Sequence, residues 1–177
     1  ACGRNLVPVK LELGGKGANL AEMTNLGIPV PAGFTISTRA CELFYENDRQ
    51  YPRGLDEQIN ANLAKLEQAM QADFGGSENP LLVSVRSGAA VSMPGMMDTV
   101  LNLGLNDDNV EALAKKTNNP RFEYDAYRRF ITMFGNVVMG FVHDDFDHVI
   151  NKMKENVVAK LDTDLSANDL RALVMNY

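Results

Sequence analysis

Pro80-Leu81-Leu82-Val83-Ser84-Val85-Arg86-Ser87-Gly88-Ala89 decides the fold class. An apolar run with β-branched Val83 and Val85, entered from a proline, predicts a short buried strand over 81–85. The stretch after it, Arg86 to Ala90 and then Ser92-Met93-Pro94-Gly95-Met96-Met97, is small, polar and glycine-bearing, and predicts a loop. Thr99 to Leu103 returns to alternation and predicts a second strand, closed by Gly104.

Upstream, helical and extended signals alternate. Leu13-Gly14-Gly15-Lys16-Gly17 predicts a glycine-rich turn, followed by a short helix from Ala18 to Leu26 with Gly27 as its left-handed cap. Pro29, Pro31 and Gly33 predict a stiff extended entry into a strand at Phe34-Thr35-Ile36. Ser37 or Thr38 then caps a helix carrying Cys41, Phe44 and Tyr45 on one face. Asp56 caps the next, whose apolar positions Ile59, Leu63, Leu66 and Met70 follow helical spacing, and Gly75-Gly76 ends it.

Beyond about residue 106 the strand signals stop. Apolar residues at 127, 130, 131, 134, 137, 138 and 141 make a wide helical stripe within 122–141, and Phe146, Val149, Ile150 and Met153 make another. Ser166 with Asp169 predicts a capping box, with Leu165 stapled to Leu170. The expectation is an α/β fold (α+β), with an α/β lobe at 1–105 and a helical subdomain at 106–177. Both ends of the chain read as cuts from a longer polypeptide.

With 17 Lys+Arg against 23 Asp+Glu, the net charge of −6 argues against a nucleic-acid coat, which needs a basic stripe. It leaves room for an anionic small ligand. Cys2 and Cys41 make no disulfide framework. No apolar run approaches the roughly 20 residues of a bilayer span, so no membrane role is expected. The lack of a visible targeting signal points to the cytoplasm, with an organelle left open if an N-terminal signal is trimmed.

Three segments carry candidate chemistry. The glycines around Lys16 let a ligand approach the backbone, and the helix behind them points free N–H groups at the same place, which suits phosphate oxygens. The spacing is not that of a P-loop, and a tight turn with a solvated lysine is the plain alternative. Arg86, ending its strand, either forks onto phosphate or carboxylate oxygens or sits in a buried salt bridge with a partner such as Asp98. Ser92 to Thr99 offers close backbone approach at Gly95, hydroxyls at Ser92 and Thr99, and three flexible methionines, so it either covers a ligand or fills a core. His143 and His148, five apart, do not share a helical face as zinc ligands would, and read as surface histidines. Asp162-Thr163-Asp164 lacks the rest of a calcium loop. Lys115-Lys116 and Arg128-Arg129 read as solvated pairs, and Ser84, Ser87 and Ser92 have no nearby histidine to activate them.

Leu13 to Met23, Gly27 to Thr35, Leu82 to Ala89, Ser92 to Asn106 and Asn119 to Phe130 together resemble, in order, the N-terminal nucleotide-binding domain of the pyruvate, phosphate dikinase family. The Met-Pro-Gly-Met-Met loop sets the chain apart from the related phosphoenolpyruvate synthases, which are the alternative within enzymes; a non-catalytic interaction module is the alternative outside them. The resemblance implies a partial ATP-grasp type fold whose helical stretch is an insertion. It implies an enzyme that converts ATP, pyruvate and phosphate to AMP, phosphoenolpyruvate and pyrophosphate, through a phosphohistidine on a swivelling domain. Residue by residue, it implies that Lys16 and Arg86 contact ATP phosphates and that Gly95 lies in the loop over them, with Ser92, Met93 and Thr99 as neighbours. The phosphohistidine, the acidic Mg²⁺ ligands and the pyruvate-binding barrel are not matched here, so the chain alone is expected to be inactive. A homodimer is implied for the full-length enzyme.

Overall fold

The computed structural model describes residues 15–87 and 99–177. Contacts divide the chain into two compact units: one runs through Ala72 and includes Arg86, and the other comprises Asp73–Val85 and Thr99–Tyr177.

In the first unit, helix α1 spans Gly15–Asn25, so it starts earlier than expected and takes Gly15-Lys16-Gly17 into its first turn. A glycine costs least there, because first-turn N–H groups have no intrahelical acceptor to lose. The C-terminal cap is as expected. Gly27 has φ +77°, its N–H reaches Thr24 O at 2.9 Å and the Ile28 N–H reaches Met23 O at 3.0 Å, the double closure that glycine permits. Phe34-Thr35-Ile36 forms no strand; with Pro29 and Pro31 removing two donors, the segment is a poor ladder partner.

Helix α2 spans Thr38–Glu46 with Ser37 at its N-cap, though no side-chain hydrogen bond closes that cap. Thr38, Ala40, Leu43 and Phe44 are half-buried, while Cys41 and Tyr45 of the expected face are exposed. Phe44 packs toward Tyr51, ring centroids 5.7 Å apart. Helix α3, Leu55–Met70, is capped by Gly54 in the left-handed region, and Asp56 lies inside the first turn instead of at the cap. Its stripe holds at Ile59, Leu63 and Leu66, which are half-buried, and lapses at exposed Met70. Gln71, not the Gly75-Gly76 pair, terminates it.

In the second unit, β1 (Asp73–Phe74) pairs in parallel with β2 (Pro80–Leu81), and β3 (Val83–Arg86) pairs with β4 (Thr99–Leu103). The expected 81–85 strand is therefore broken at Leu82 into β2 and β3. It is not a buried strand throughout: Leu81 is buried, but Ser84, Val85 and Arg86 are exposed. Strand β4 lies as expected, and Gly104 closes it for a visible reason. Its φ is +115°, and a Cβ there would sit 2.5 Å from Leu81 O. The fold is a helix-rich mixture of α and β with two small sheets.

After β4 every described element is helical: α4 (Asp107–Thr117), α5 (Pro120–Val137), α6 (His143–Val157), a single 3₁₀ turn at Asp162–Asp164, and α7 (Ala167–Val174). Helix α4 opens on a capping box the sequence reading missed. Asn106 Oδ1 accepts the Asp108 and Asn109 N–H groups, while the fully buried Asn109 returns a bond to the Asn106 N–H and donates to Gly104 O at 2.7 Å. Helix α5 has Asn119 as N-cap and Pro120 in its first turn, both favourable there. Its stripe is buried or half-buried from Tyr127 to Phe134, then ends. Val138 and Phe141 lie beyond the helix and are exposed, because Gly140 at φ +73° turns the chain out of it. The α6 stripe holds at all four positions, with Phe146 and Ile150 buried.

Helix α7 is seated by its predicted cap. Asp169 accepts the Ser166 N–H at 2.9 Å and the Ser166 hydroxyl at 2.6 Å, and Ser166 Oγ accepts the Asp169 N–H. These hydrogen bonds hold the Asp169 carboxyl below the usual range. Leu165 and Leu170, the predicted staple, are both fully buried and form one core with Leu105, Val110, Tyr124, Tyr127, Ile150, Leu173 and Val174.

One charged group expected to be solvated is not. Arg128 is only 8% exposed; it pairs with Asp125 at 2.7 Å and Asp162 at 3.5 Å, and Lys154 joins Asp162 at 3.0 Å. A buried guanidinium requires such partners. Lys115, Lys116 and Arg129 are exposed as expected, Lys116 donating to Asn79 Oδ1 at the surface at 2.8 Å. Arg121 satisfies the carbonyls of Asp162 and Leu165, tying the start of α5 to the 3₁₀ turn.

Tyr127 donates its hydroxyl proton to Asp107 Oδ1 at 3.0 Å. Burial, that hydrogen bond and the carboxylate charge push its phenol up to about 12, and burial also raises Tyr124 and Tyr177. The folded state thus prefers the neutral phenol. Its stabilising contribution is complete below pH 10, the ordinary tyrosine value, and is lost as pH rises through about 12. The last step of phenolate absorbance should therefore have its midpoint near pH 12, and Tyr127→Phe should remove that step. Complete ionisation near pH 10 would contradict this environment.

Gly135 supplies a second prediction. A Cβ there would lie 2.6 Å from Phe146 Cζ, and that ring is buried and held edge-on by Tyr177 at a centroid distance of 5.1 Å. Gly→Ala in a helix gains about 0.5–1 kcal/mol from chain entropy, but overpacking costs about 1–3 kcal/mol. Gly135→Ala should lower stability in denaturant melts, whereas an unchanged or raised midpoint would show that α5 and α6 can separate.

Candidate nucleotide-binding site

Helix α1 begins at Gly15, so the backbone N–H groups of its first four residues lack intrahelical acceptors and carry the positive end of the helix dipole. Lys16 is the second residue of that turn. Two adjacent glycines keep side chains away from a ligand approaching the N–H groups, and a helix start of this kind is a ready anion site. The third member of the turn, Gly17, is closely approached: a Cβ built on it would lie 2.8 Å from Thr35 Cγ2 and 2.9 Å from Thr35 Oγ1. In the sequence Thr35 stood out only as part of the expected strand at 34–36.

Arg86 is the last residue of β3 and is exposed, and Thr99 is the half-buried first residue of β4. Because β3 and β4 pair, Arg86 and Thr99 are the two roots of the 87–98 segment. An exposed arginine at a strand end does not fit the buried salt bridge weighed for it; Asp98, its suggested partner, lies outside the described residues. Ser92, Met93 and Gly95 also lie outside them.

Among the described residues, the remaining polar clusters offer no rival chemistry. His143 and His148 are exposed on α6, with His143 Nδ1 3.1 Å from Asp147 Oδ2. Asp164 is occupied in accepting the Leu161 and Lys160 N–H groups at 2.8 and 3.1 Å. A cleft of about 660 Å³ opens between α5 and α6, lined by Arg128, Thr132, Asn136, His143, Phe146 and Tyr177 among others. None of the predicted nucleotide contacts lines it. Among the described residues, no group of three His, Cys, Asp or Glu side chains could hold a metal ion, and no helix is long and apolar enough to cross a membrane.

A helix start rich in glycine and bearing a lysine, with an exposed arginine rooting a glycine-bearing segment, is the equipment of a nucleotide-phosphate site. The chain belongs to the family described as pyruvate phosphate dikinase, AMP/ATP-binding domain, which matches residues 10–67 and 48–129. It is 56% identical over 169 residues to the chloroplastic pyruvate, phosphate dikinase of Flaveria trinervia, covering 96% of this chain and 18% of that protein. It is 54% identical to the pyruvate, phosphate dikinase of Clostridium symbiosum and 53% identical to that of Entamoeba histolytica, each over 93% of this chain and 19% of the relative. The chain thus spans less than a fifth of the length of these relatives.

Proposed function

We propose that the chain is the ATP-binding portion of a pyruvate, phosphate dikinase, in which Lys16, the free N–H groups of α1 and Arg86 hold nucleotide phosphates while the loop containing Gly95 covers them. One observation carries the reading: the family match spans both phosphate-type segments, the first turn of α1 and the stretch from Arg86 to Thr99. Ser92, Met93 and Thr99 complete the wall of the cleft. The lobes are 1–105, α/β and of ATP-grasp type, and 106–177, a helical insertion.

Phosphoryl transfer asks little covalent chemistry of the protein. Its task is to position the phosphates and neutralise charge as the bond to the leaving group lengthens, which a lysine, an arginine and backbone N–H groups supply. In the full polypeptide a pyrophosphoryl group passes from ATP to a histidine on another domain with release of AMP, phosphate takes the outer phosphoryl group to give pyrophosphate, and the remaining phosphoryl group passes to pyruvate to give phosphoenolpyruvate. The acidic Mg²⁺ ligands are taken, on the family resemblance, to lie in other parts of the polypeptide. The phosphohistidine belongs there too, and this chain alone is inactive. The full-length enzyme is a homodimer, cytoplasmic or, like the relatives named chloroplastic, organellar. The dikinase names of the relatives speak for phosphate dependence over the water-dependent synthase reaction.

Arg86→Ala tests the assignment. Loss of a hydrogen bond to a charged group costs about 1.5–3 kcal/mol, roughly one to two orders of magnitude in rate. The full-length variant should lose that much phosphoryl transfer, while an exposed position keeps the stability change within about 0.5 kcal/mol. Lys16→Ala should weaken ATP binding in parallel. Wild-type turnover in either variant would overturn the role of that residue.

A further inference from the structure

After Gly27 closes α1, the chain does not leave the helix. It runs back along it, and eight residues later Thr35 sits against the first turn, at Gly17. The reach is sufficient: ten helical residues rise about 15 Å, and eight extended residues span up to about 28 Å. The path is stiff as well, since Pro29 and Pro31 each fix one backbone torsion. At the contact, both Thr35 γ atoms fill the space a Cβ on residue 17 would take, at 2.8 and 2.9 Å. A β-branched side chain has few rotamers with which to yield. The glycine and the threonine therefore fit as a pair, and the fit lies one residue from Lys16.

We propose that Thr35 is a positioning residue of the phosphate site: its γ atoms, seated on Gly17, fix the first turn of α1 and with it the N–H groups and Lys16 that face the nucleotide. This rests on the phosphate-binding reading of α1. The strap acts as a brace, so that binding need not first order the turn. Thr35 touches no substrate in this account.

The test is a size exchange in the full-length enzyme, read as KM for ATP and KM for pyruvate. Thr35→Ala empties the contact and Gly17→Ala overfills it. Each should raise KM for ATP by roughly ten-fold or more, given the sensitivity of such sites to small displacements, with KM for pyruvate unchanged. The double variant Gly17→Ala/Thr35→Ala places the new methyl where the γ atoms were and should recover most of the loss. Thr35→Val, which keeps both γ positions, should retain most of the affinity that Thr35→Ala loses. Single variants with wild-type KM for ATP, or losses that simply multiply in the double variant, would overturn the brace. A loss shared equally by both substrates, with a lowered melting midpoint, would also overturn it, as a general folding effect. Lys16→Ala separates the two levels. If it leaves ATP binding intact, the phosphate site itself is wrong; if it weakens ATP while the Gly17/Thr35 series does not, only the brace is wrong.

Discussion

The packing of β4 on α5 is the constraint on which the second unit depends. Val100 of β4 is buried, and the Leu101 N–H donates to Met133 Sδ of α5 at 3.3 Å. A two-stranded ribbon is marginal in water unless a helix covers one face, and α5 supplies the cover. Helices α4 and α7 pack on α5 in turn, around Leu170 and Leu173, which are completely buried. The helical stretch is therefore no passive appendage. It holds the strand from which the 87–98 segment is rooted at Thr99, while β3, paired to β4, ends at Arg86.

The polar groups of this unit are spent on the same end. Asn109 fastens the start of α4 to Gly104, the residue that closes β4. Tyr127 fastens α5 to Asp107 in the first turn of α4. On the far side, Arg128 and Lys154 meet over Asp162, and Arg171 of α7 pairs with Glu111 of α4. Breaking one partner of the buried Arg128 set would leave a desolvated charge, which is far more damaging than losing an exposed pair such as Arg39 with Glu42. Arg86, by contrast, is exposed at the end of β3.

What was legible in the sequence was chemistry that acts within a few residues. The Gly27 cap, the Ser166–Asp169 box, the Leu165–Leu170 staple and the α6 stripe all depend on neighbours three to five positions away. What was not legible depends on distant partners. The break at Leu82 follows from β2 pairing with β1 while β3 pairs with β4; Arg128 looked solvated although one of its two ion-pair partners, Asp162, lies thirty-four positions on. The α1 start was misplaced because glycine reads as a turn even where a first helical turn tolerates it. At the site, Lys16 and Arg86 stood out by residue type and setting. Thr35 did not, since its meaning lies in the missing side chain of Gly17.

The central claim is that one end of α1 and the segment rooted at Arg86 and Thr99 receive the phosphates of ATP. Hydrogen exchange of the full-length protein with and without ATP tests it most directly, because it reads the backbone amides that would do the binding. The account predicts ATP-dependent slowing at residues 15–18 and across 86–99, with the amides of α4 to α7 little changed. Nucleotide binding that leaves both segments exchanging as before, or that slows only the α5–α6 cleft, would contradict it.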